Sequence, residues 1–415
     1  MTFKEQTPKD WDLKKLKNVS QFSNGKGHEK SIDENGHYIV VNSKFISTDG
    51  QVKKYSKQNL SPLKTGDITM VMSDIPNGKA IAKCFIIDED DKYTLNQRIC
   101  SIQSNDNCDN KFLYYVINRN SYYLAFDNGV SQTNLRKDEV LDCPIQLPPV
   151  PEQQKIAEIL STVDAKIEVL DQHITETQEL KKGLMQRLLT KGIGHTEFKD
   201  SPLGKIPASW RVVKIQDLLN EGRIISHLDG NHGGLYPKAD EFIDDGVPYI
   251  SANCFINSKV DFSKCKHLSM ERSLQFRKGV AKNGDVLFAH NATVGPVAFL
   301  ETDFDFVILS TSATYYRLDN KTIDAKYWLF FLSSPTFKNQ YEKVMGQSTR
   351  NQVPITMQRS FLSVIPTFED QKEISEILDT VDKKLEVILE KKTNYQELKK
   401  GLMQQLLTGK VRVNT

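Results

Sequence analysis

The sequence predicts an α+β chain made by internal duplication: two globular units of mixed α/β structure, each followed by one long helix. Three observations predict it. A 39-residue segment occurs twice, 218 positions apart, with 24 identities. Both copies space their apolar residues by threes and fours. The stretch before each copy mixes β-rich runs, turn dipeptides and short amphipathic segments. With 415 residues, 39% of them hydrophobic and 26% charged, the chain has length for two or three domains with real cores. The expected boundaries are 1–150 for the first globular unit, 151–192 for a central helix, 193–368 for the second unit and 369–415 for a C-terminal helix.

The first unit opens on Pro8-Lys-Asp-Trp11. Tyr38–Ser47 and Ile81–Ile87 read as strands, and Lys111–Asn118 as a short helix. Asn24-Gly25, Asn35-Gly36 and Asn77-Gly78 mark turns. Pro148 then precedes the first rod, where proline suits the start of a helix. In Glu152–Thr190 the apolar residues Ile156, Leu160, Val163, Ile167, Leu170 and Ile174 form an a/d seam. A 39-residue helix would be roughly 58 Å long. So narrow a stripe on so long a rod needs a partner helix, and the nearest candidate is the other copy.

Lys191–Pro207, rich in Gly and Pro, reads as a linker. The second unit repeats the first in outline. Pro207-Ala-Ser-Trp210 parallels Pro8-Lys-Asp-Trp11, Tyr249–Asn253 parallels Tyr38–Asn42, and Gly284-Asp285-Val286 parallels Gly66-Asp67-Ile68. Gly346–Asn351 likewise parallels Gly129–Asn134. Asp285–Ala289 and Ala313–Leu318 read as strands and Lys326–Leu332 as a helix. Pro366 introduces the second rod, Asp370–Thr408, whose seam is Ile374, Leu378, Val381, Leu385 and Ile388. The unbroken run QELKKGLMQ stands in both rods. Gly183 and Gly401 inside it each cost about 1 kcal/mol relative to Ala, which predicts a close helix approach or a kink.

The chemistry is notable for what is missing. No phosphate-binding loop appears, and Gly25-Lys-Gly27 and Gly192-Ile-Gly194 lack the third glycine of a dinucleotide fingerprint. No amino-methyltransferase motif, H-E-x-x-H or nucleophile elbow is present. His227 and His232 beside Asp229 read as a polar loop around Gly230 rather than a metal site. The six cysteines include no C-x-x-C pair and read as reduced, mostly buried residues. The start of the sequence carries no secretory signal and no stretch is apolar enough to span a membrane, so the expected location is cytoplasmic. Lys and Arg number 55 against 53 Asp and Glu, and neither globular unit is strongly basic. Bulk charge therefore does not announce a nucleic-acid binder.

The tandem layout, the Pro-x-x-Trp openings, the Gly-Asp-[Ile/Val] elements and the twin ELKKGLMQ rods resemble the specificity subunit of type I restriction–modification enzymes. The linker Ser201-Pro-Leu-Gly-Lys-Ile-Pro-Ala-Ser-Trp210 is similar to that family's opening of a second target-recognition domain. The resemblance covers essentially the whole chain. It implies two target-recognition domains related by a pseudo-twofold and separated by two long antiparallel coiled-coil helices. Each domain would read one half of a split double-stranded DNA target, with helix length setting the gap. Two modification subunits would bring S-adenosylmethionine and methylate adenine. Restriction subunits would bring ATP- and magnesium-dependent translocation and cleavage. The chain itself would be non-catalytic, with no metal or cofactor of its own. A balanced charge then fits a reader that shares its phosphate contacts with partners.

Base readout needs Arg, Lys, Asn, Gln and hydroxyl side chains on loops. The expected DNA-binding residues are Asn42, Ser43, Lys44, Asn77, Lys79, Gln97, Arg98, Gln132 and Asn134 in the first unit. In the second they are Ser251, Asn253, His290, Asn291, Thr293, Thr349, Arg350 and Asn351. Leu309-Ser-Thr-Ser-Ala does not preserve Leu95-Asn-Gln-Arg98, so Gln97 and Arg98 have no counterparts there, and differing readout in the halves would fit an asymmetric target. The inter-helix seam is expected at Ile156, Leu160, Val163, Ile167, Ile374, Leu378, Val381 and Leu385, leaving the polar faces for partner subunits. Three other readings remain: a coiled-coil scaffold without DNA readout, an enzyme with an unfamiliar site, and the specificity subunit of a modification system lacking restriction subunits.

Overall fold

The structure is a computed structural model that describes residues 8–76, 78–230, 235–346 and 351–414. The chain forms two compact units. One contains the residues up to Asp171 together with those from Glu390 onward, and the other is Gln172–Leu389. Each unit therefore combines one globular body with the first half of one long helix and the second half of the other. The rods are shared between the bodies rather than standing apart from them as separate domains.

In the first unit Ser20–Asn24, Ile99–Ser104, Ile68–Val71 and Cys84–Ile86 make an antiparallel sheet in that spatial order. Alternation along the strands gives it two apolar faces. Ile68, Met70, Cys100 and Ile102 join Phe112 and Leu113 of the helix Asn110–Ile117. Val71 and Ile99 face a second cluster with Val41, Phe45 and Leu95. That cluster includes the parallel pair Tyr38–Val41 and Tyr93–Leu95. Asp12–Lys15 pairs antiparallel with Pro144–Leu147 and so returns the end of the body to its beginning.

The second unit repeats this plan with additions. Its larger sheet has six strands, among them Ile224–Asp229, Ala313–Leu318, Val286–Asn291 and Thr293–Phe299. Its other sheet has five and is built around the parallel pair Val247–Ile250 and Val307–Leu309. Arg211–Lys214 pairs with Leu362–Ile365 as Asp12–Lys15 does with Pro144–Leu147. The helix Ala325–Leu332 is capped by Asp324, whose side chain accepts from Tyr327 N, just as Asp109 accepts from Phe112 N.

The long helices run Val150–Lys191 and Phe368–Leu406. Gly192, in the left-handed region at φ +64°, ends the first. Each helix is docked at its first turn. Trp11 Nε1 donates to Glu152 Oε2 at 3.1 Å, and Trp210 Nε1 to Asp370 Oδ2 at 2.8 Å. Gln153 donates to Pro148 O and accepts from Asp109 N, while Gln371 makes the same two bonds with Pro366 O and Asp324 N. Burial pushes the Glu152 carboxyl up, but Arg412 and Trp11 more than offset it and hold it below the usual carboxylate range.

Several sequence expectations are corrected by this geometry. The run Tyr38–Ser47 is a strand only to Val41, followed by the helix Ser43–Ser47. Asn42 makes the break by accepting from Phe45 N at 2.9 Å. Ile81–Ile87 is extended only over Cys84–Ile86, because Ala82 sits at φ +53° and Lys83 N bonds Ala80 O. Gly183 and Gly401 mark neither a kink nor a close approach. The helices pass through both positions unbroken, and a Cβ added there would meet nothing within 4 Å. Five cysteines are buried, Cys265 is half-buried, and all six are free. Among the described residues no helix is long and apolar enough to cross a membrane.

Candidate nucleic-acid interface

In the first unit, two chain segments that carry expected DNA-binding residues converge with a third that carries Lys54. The turn Asn96–Arg98 joins the parallel strand Tyr93–Leu95 to Ile99–Ser104, with Ile99 N bonded to Asn96 O and Arg98 at φ +66°. Asn42, Ser43 and Lys44 open the short helix beside it. Together with Lys54 these residues line an open depression of about 480 Å³. Arg98 and Gln97 are exposed, and Gln97 donates to Glu29. Among the described residues no carboxylate pairs with Lys44, Lys54 or Arg98, so three cations stand open around it.

A second cluster adjoins this one through the backbone. Met72 N bonds Arg98 O, and Leu135 N bonds Met72 O. Ser73–Asp74 pairs antiparallel with Thr133–Asn134. Ser73 Oγ accepts from Gln132 Nε2 and donates to Asn134 Oδ1, each at 2.7 Å. Lys79 is exposed on the following turn. Asn77 lies outside the described residues.

The second unit brings equivalent segments together. The hairpin tip Asn291–Thr293 is clasped by the segment starting at Asn351: Ala292 N bonds Asn351 O, Asn351 Nδ2 bonds Ala292 O, and Val353 N bonds His290 O. Ser312 O accepts from His290 N and Ser312 Oγ accepts from Ala252 N, which ties in the loop of Ser251 and Asn253. Asn253, Thr293 and Asn351 are exposed, Ser251 and Asn291 half-buried. His290 is buried, so it supports the tip rather than projecting from it. Thr349 and Arg350 lie outside the described residues.

Beneath the clasp sits a buried polar network. Gln358 Oε1 accepts from His227 Nε2, Thr314 Oγ1 and Tyr316 OH at 3.0–3.1 Å, and Gln358 Nε2 donates to Val353 O. With its proton on Nε2, His227 stacks on Tyr316 at 4.0 Å between centroids. Burial, aided by the Arg359 guanidinium, pushes its pKa down to about 3. His227 thus belongs to the strand Ile224–Asp229 and the core, not to a polar loop; His232 is outside the described residues. Elsewhere in this unit, the neighbouring Cys265 thiol holds the Cys254 thiol below its ordinary value.

Two glycines explain how the turns are seated. A Cβ on Gly25 would lie 2.0 Å from Asn96 O, and one on Gly230 would lie 1.9 Å from Ser310 O. Only glycine lets these backbones touch behind the turn. Gly25-Lys-Gly27 is therefore a packing device, not a remnant of a dinucleotide fingerprint.

A family model described as the type I restriction modification DNA specificity domain matches the chain twice, at residues 8–179 and 207–400. The chain belongs to this family. The specificity subunit of the type I restriction enzyme MjaVIII from Methanocaldococcus jannaschii is 25% identical, over 98% of this chain and 94% of its own length. The EcoBI specificity subunit of Escherichia coli is 24% identical over 68% of this chain and 60% of its own length. Among solved structures, the S subunit of a type I system from M. genitalium has a TM-score of 0.62 at 14% identity, covering 100% of this chain and 99% of that one. DNA target recognition in a type I restriction–modification system is thus the function of this specificity chain, and its two matched domains suit a bipartite target.

Each matched stretch of the specificity chain contains one globular body and much of the rod that follows. The seam residues are unequal in burial. Ile156, Leu160, Ile374 and Leu378 are fully buried, Val163 and Val381 nearly so, and Ile167 and Leu385 half-buried. Ile156 and Leu160 pack with Leu406, and Ile374 and Leu378 with Leu188 and Leu189, in the cores of their respective units. Leu188, Leu189 and Leu406 were missed in the sequence. The repeated LLT ending could have revealed them, since an antiparallel pairing sets each seam's start against the other rod's end. Among the described residues no three His, Cys, Asp or Glu side chains gather to hold a metal.

Proposed function

We propose that each unit reads one half of a split double-stranded DNA target, with the helices fixing the gap between halves. The observation that carries this is the convergence of Asn42, Ser43, Lys44, Gln97 and Arg98 on one open depression with unpaired cations. In the second unit, Ser251, Asn253, Asn291, Thr293 and Asn351 are tied together through Ser312 and the hairpin tip. Polar groups that can address base edges are thus held on rigid turns in both bodies.

The chain is non-catalytic in this reading. Two modification subunits supply S-adenosylmethionine and adenine methylation, and restriction subunits supply ATP- and magnesium-driven cleavage. The complex works in the cytoplasm. Leu180 and Leu398, which exchange under the 218-residue repeat, are 51% and 48% exposed, one turn from the open Gly183 and Gly401. These matching exposed leucines, one on each rod, support two equivalent docking points for two copies of the partner chain.

The test separates readout from architecture. Arg98→Ala in the complex with the modification subunit should weaken or relax one half-site by about 1–3 kcal/mol and leave the other unchanged. Asn42→Ala should lower the melting temperature, because it removes a helix cap worth about 1 kcal/mol. Unchanged selectivity in Arg98→Ala would remove that residue from the reading surface. The isolated chain should bind weakly and with a shallow salt dependence, because partners supply most of the phosphate contacts.

A further inference from the structure

We infer that Ile75 and Val130 read thymine, each resting against the C5-methyl group of a base in the half-site served by the first unit. The inference rests on the DNA reading above and adds an apolar element to a surface so far described only by its polar groups. Val130 is 85% exposed and Ile75 69%, the two highest values among the large apolar side chains described. Both side chains stand clear of the core, where contact with a ligand would cover apolar surface that folding leaves open.

Neither side chain is on a slack loop. Asp74 Oδ1 accepts from Ile75 N at 2.9 Å, while Asp74 Oδ2 accepts from Ala80 N and Ile81 N at 2.6 and 3.1 Å. Ile75 O accepts from Gly78 N. Asn128 Oδ1 accepts from Val130 N and Ser131 N at 3.0 and 3.1 Å, and Asp127 Oδ1 from Gly129 N and Thr133 Oγ1. Two apolar tips are thus fixed in place before any ligand arrives, which lowers the entropy cost of contact.

Their position names the ligand chemistry. Asp74 is in register with Thr133, so Ile75 leaves the pairing where Gln132 enters it, and Val130 lies two residues from Gln132 on the same loop. Gln132 and Asn134, two of the expected base readers, share Ser73 Oγ. Lys79, exposed, follows Ile75 on the same turn. An apolar tip beside amide groups that can address a base matches a major-groove edge that carries a methyl group, and only thymine offers one there. The equivalent tip of the second unit, Asn291-Ala292-Thr293, has no large apolar side chain. The contact should therefore belong to one half-site only.

The experiment uses the complex with its modification subunit and the duplex it methylates, replacing thymines one at a time by deoxyuridine, which lacks only the methyl. The wild type should lose about three- to tenfold in affinity at one or two positions of one half-site. Val130→Ser or Ile75→Ser should lose a similar factor on thymine DNA and become indifferent to deoxyuridine at the matching position. Both residues are solvent-exposed, so the variants should keep the wild-type melting temperature. A wild-type complex that methylates its target yet is indifferent to every replacement overturns this inference and leaves DNA recognition standing. A complex that selects no split target overturns both.

Discussion

Lys399 Nζ and Asp164 Oδ1 meet at 2.6 Å in the first unit, and the second unit contains the same pair exchanged, Lys181 Nζ with Asp382 Oδ1 at 2.5 Å. A shift of 218 positions converts each partner into its counterpart. The lysine of each ELKKG run thus answers the aspartate of the other rod's TVD run, which is the reciprocity of a self-complementary pairing. Each lysine also lies over an aromatic ring of its own unit, Lys399 over Tyr115 and Lys181 over Phe330. These two lysines, read from the sequence as part of a polar face left for partners, are spent inside the chain.

Because both members of the Asp164–Lys399 pair are partly exposed, the ion pair should be modest. A double-mutant cycle with Asp164→Asn and Lys399→Met, followed by denaturant unfolding, should give a coupling of about 0.5–1 kcal/mol that shrinks with salt. Asp164→Asn should cost more than Lys399→Met, since Asp164 also accepts from Tyr115 OH at 2.8 Å. A coupling of zero would mean the pair does not help hold the two helices together.

His227 gives the second unit an acid limit. Its pKa is pushed down to about 3 in the folded chain, against an ordinary value near 6.5 when unfolded. Between those values the unfolded chain binds the extra proton. Stability should therefore fall as pH drops below about 6.5, by up to about 1.4 kcal/mol per pH unit, and His227 should add no slope above it. His227→Phe, which keeps a ring against Tyr316, should flatten that slope in thermal melts from pH 7 to 4. An unchanged slope would locate the acid limit elsewhere.

Asp285 and Asp67 hold equivalent turns with unequal partners. Arg317 donates to both Asp285 oxygens at 3.0 and 2.7 Å, whereas Asp67 accepts from the neutral amide of Gln103 at 2.7 Å. Burial pushes the Asp285 carboxyl above its ordinary pKa even with Arg317 beside it. Arg317→Ala strands a buried charge and should destabilise by about 3 kcal/mol, against about 1 kcal/mol for Gln103→Ala. Equal losses in urea titrations would contradict this account of the two turns.

Gly183→Ala and Gly401→Ala should each stabilise the isolated chain by up to about 1 kcal/mol, because the helix is unbroken and the Cβ meets nothing. Gly183→Leu should be tolerated by the chain alone but should weaken binding of one modification subunit, read by size-exclusion mass measurement. Full assembly with Gly183→Leu would remove that face from the docking surface.

The duplication, the rods and their first turns were legible because helical periodicity is local and the repeat doubles the signal. The strand Ala313–Leu318 was legible for the same local reason. Asn42 was visible as a polar residue, but not as a cap, since capping depends on where the strand stops. His290 is expected among the readers from its place in a loop element shared by the two halves, yet the fold puts it behind the tip, and no one-dimensional pattern records that. Ile75 and Val130 were overlooked because apolar residues in a sequence default to the core. Their exposure is a property of the two carboxylate- and amide-pinned loops, which only the structure reveals.

This chain, through two bodies with different reading surfaces, should direct methylation to one split sequence. Mapping methylated bases across the DNA of cells that express it with its modification subunit tests this most directly. The account predicts one asymmetric bipartite motif with an adenine methylated in each half, and with the gap between halves constant. Methylation at unsplit or unrelated sites, or none that depends on this chain, would contradict it.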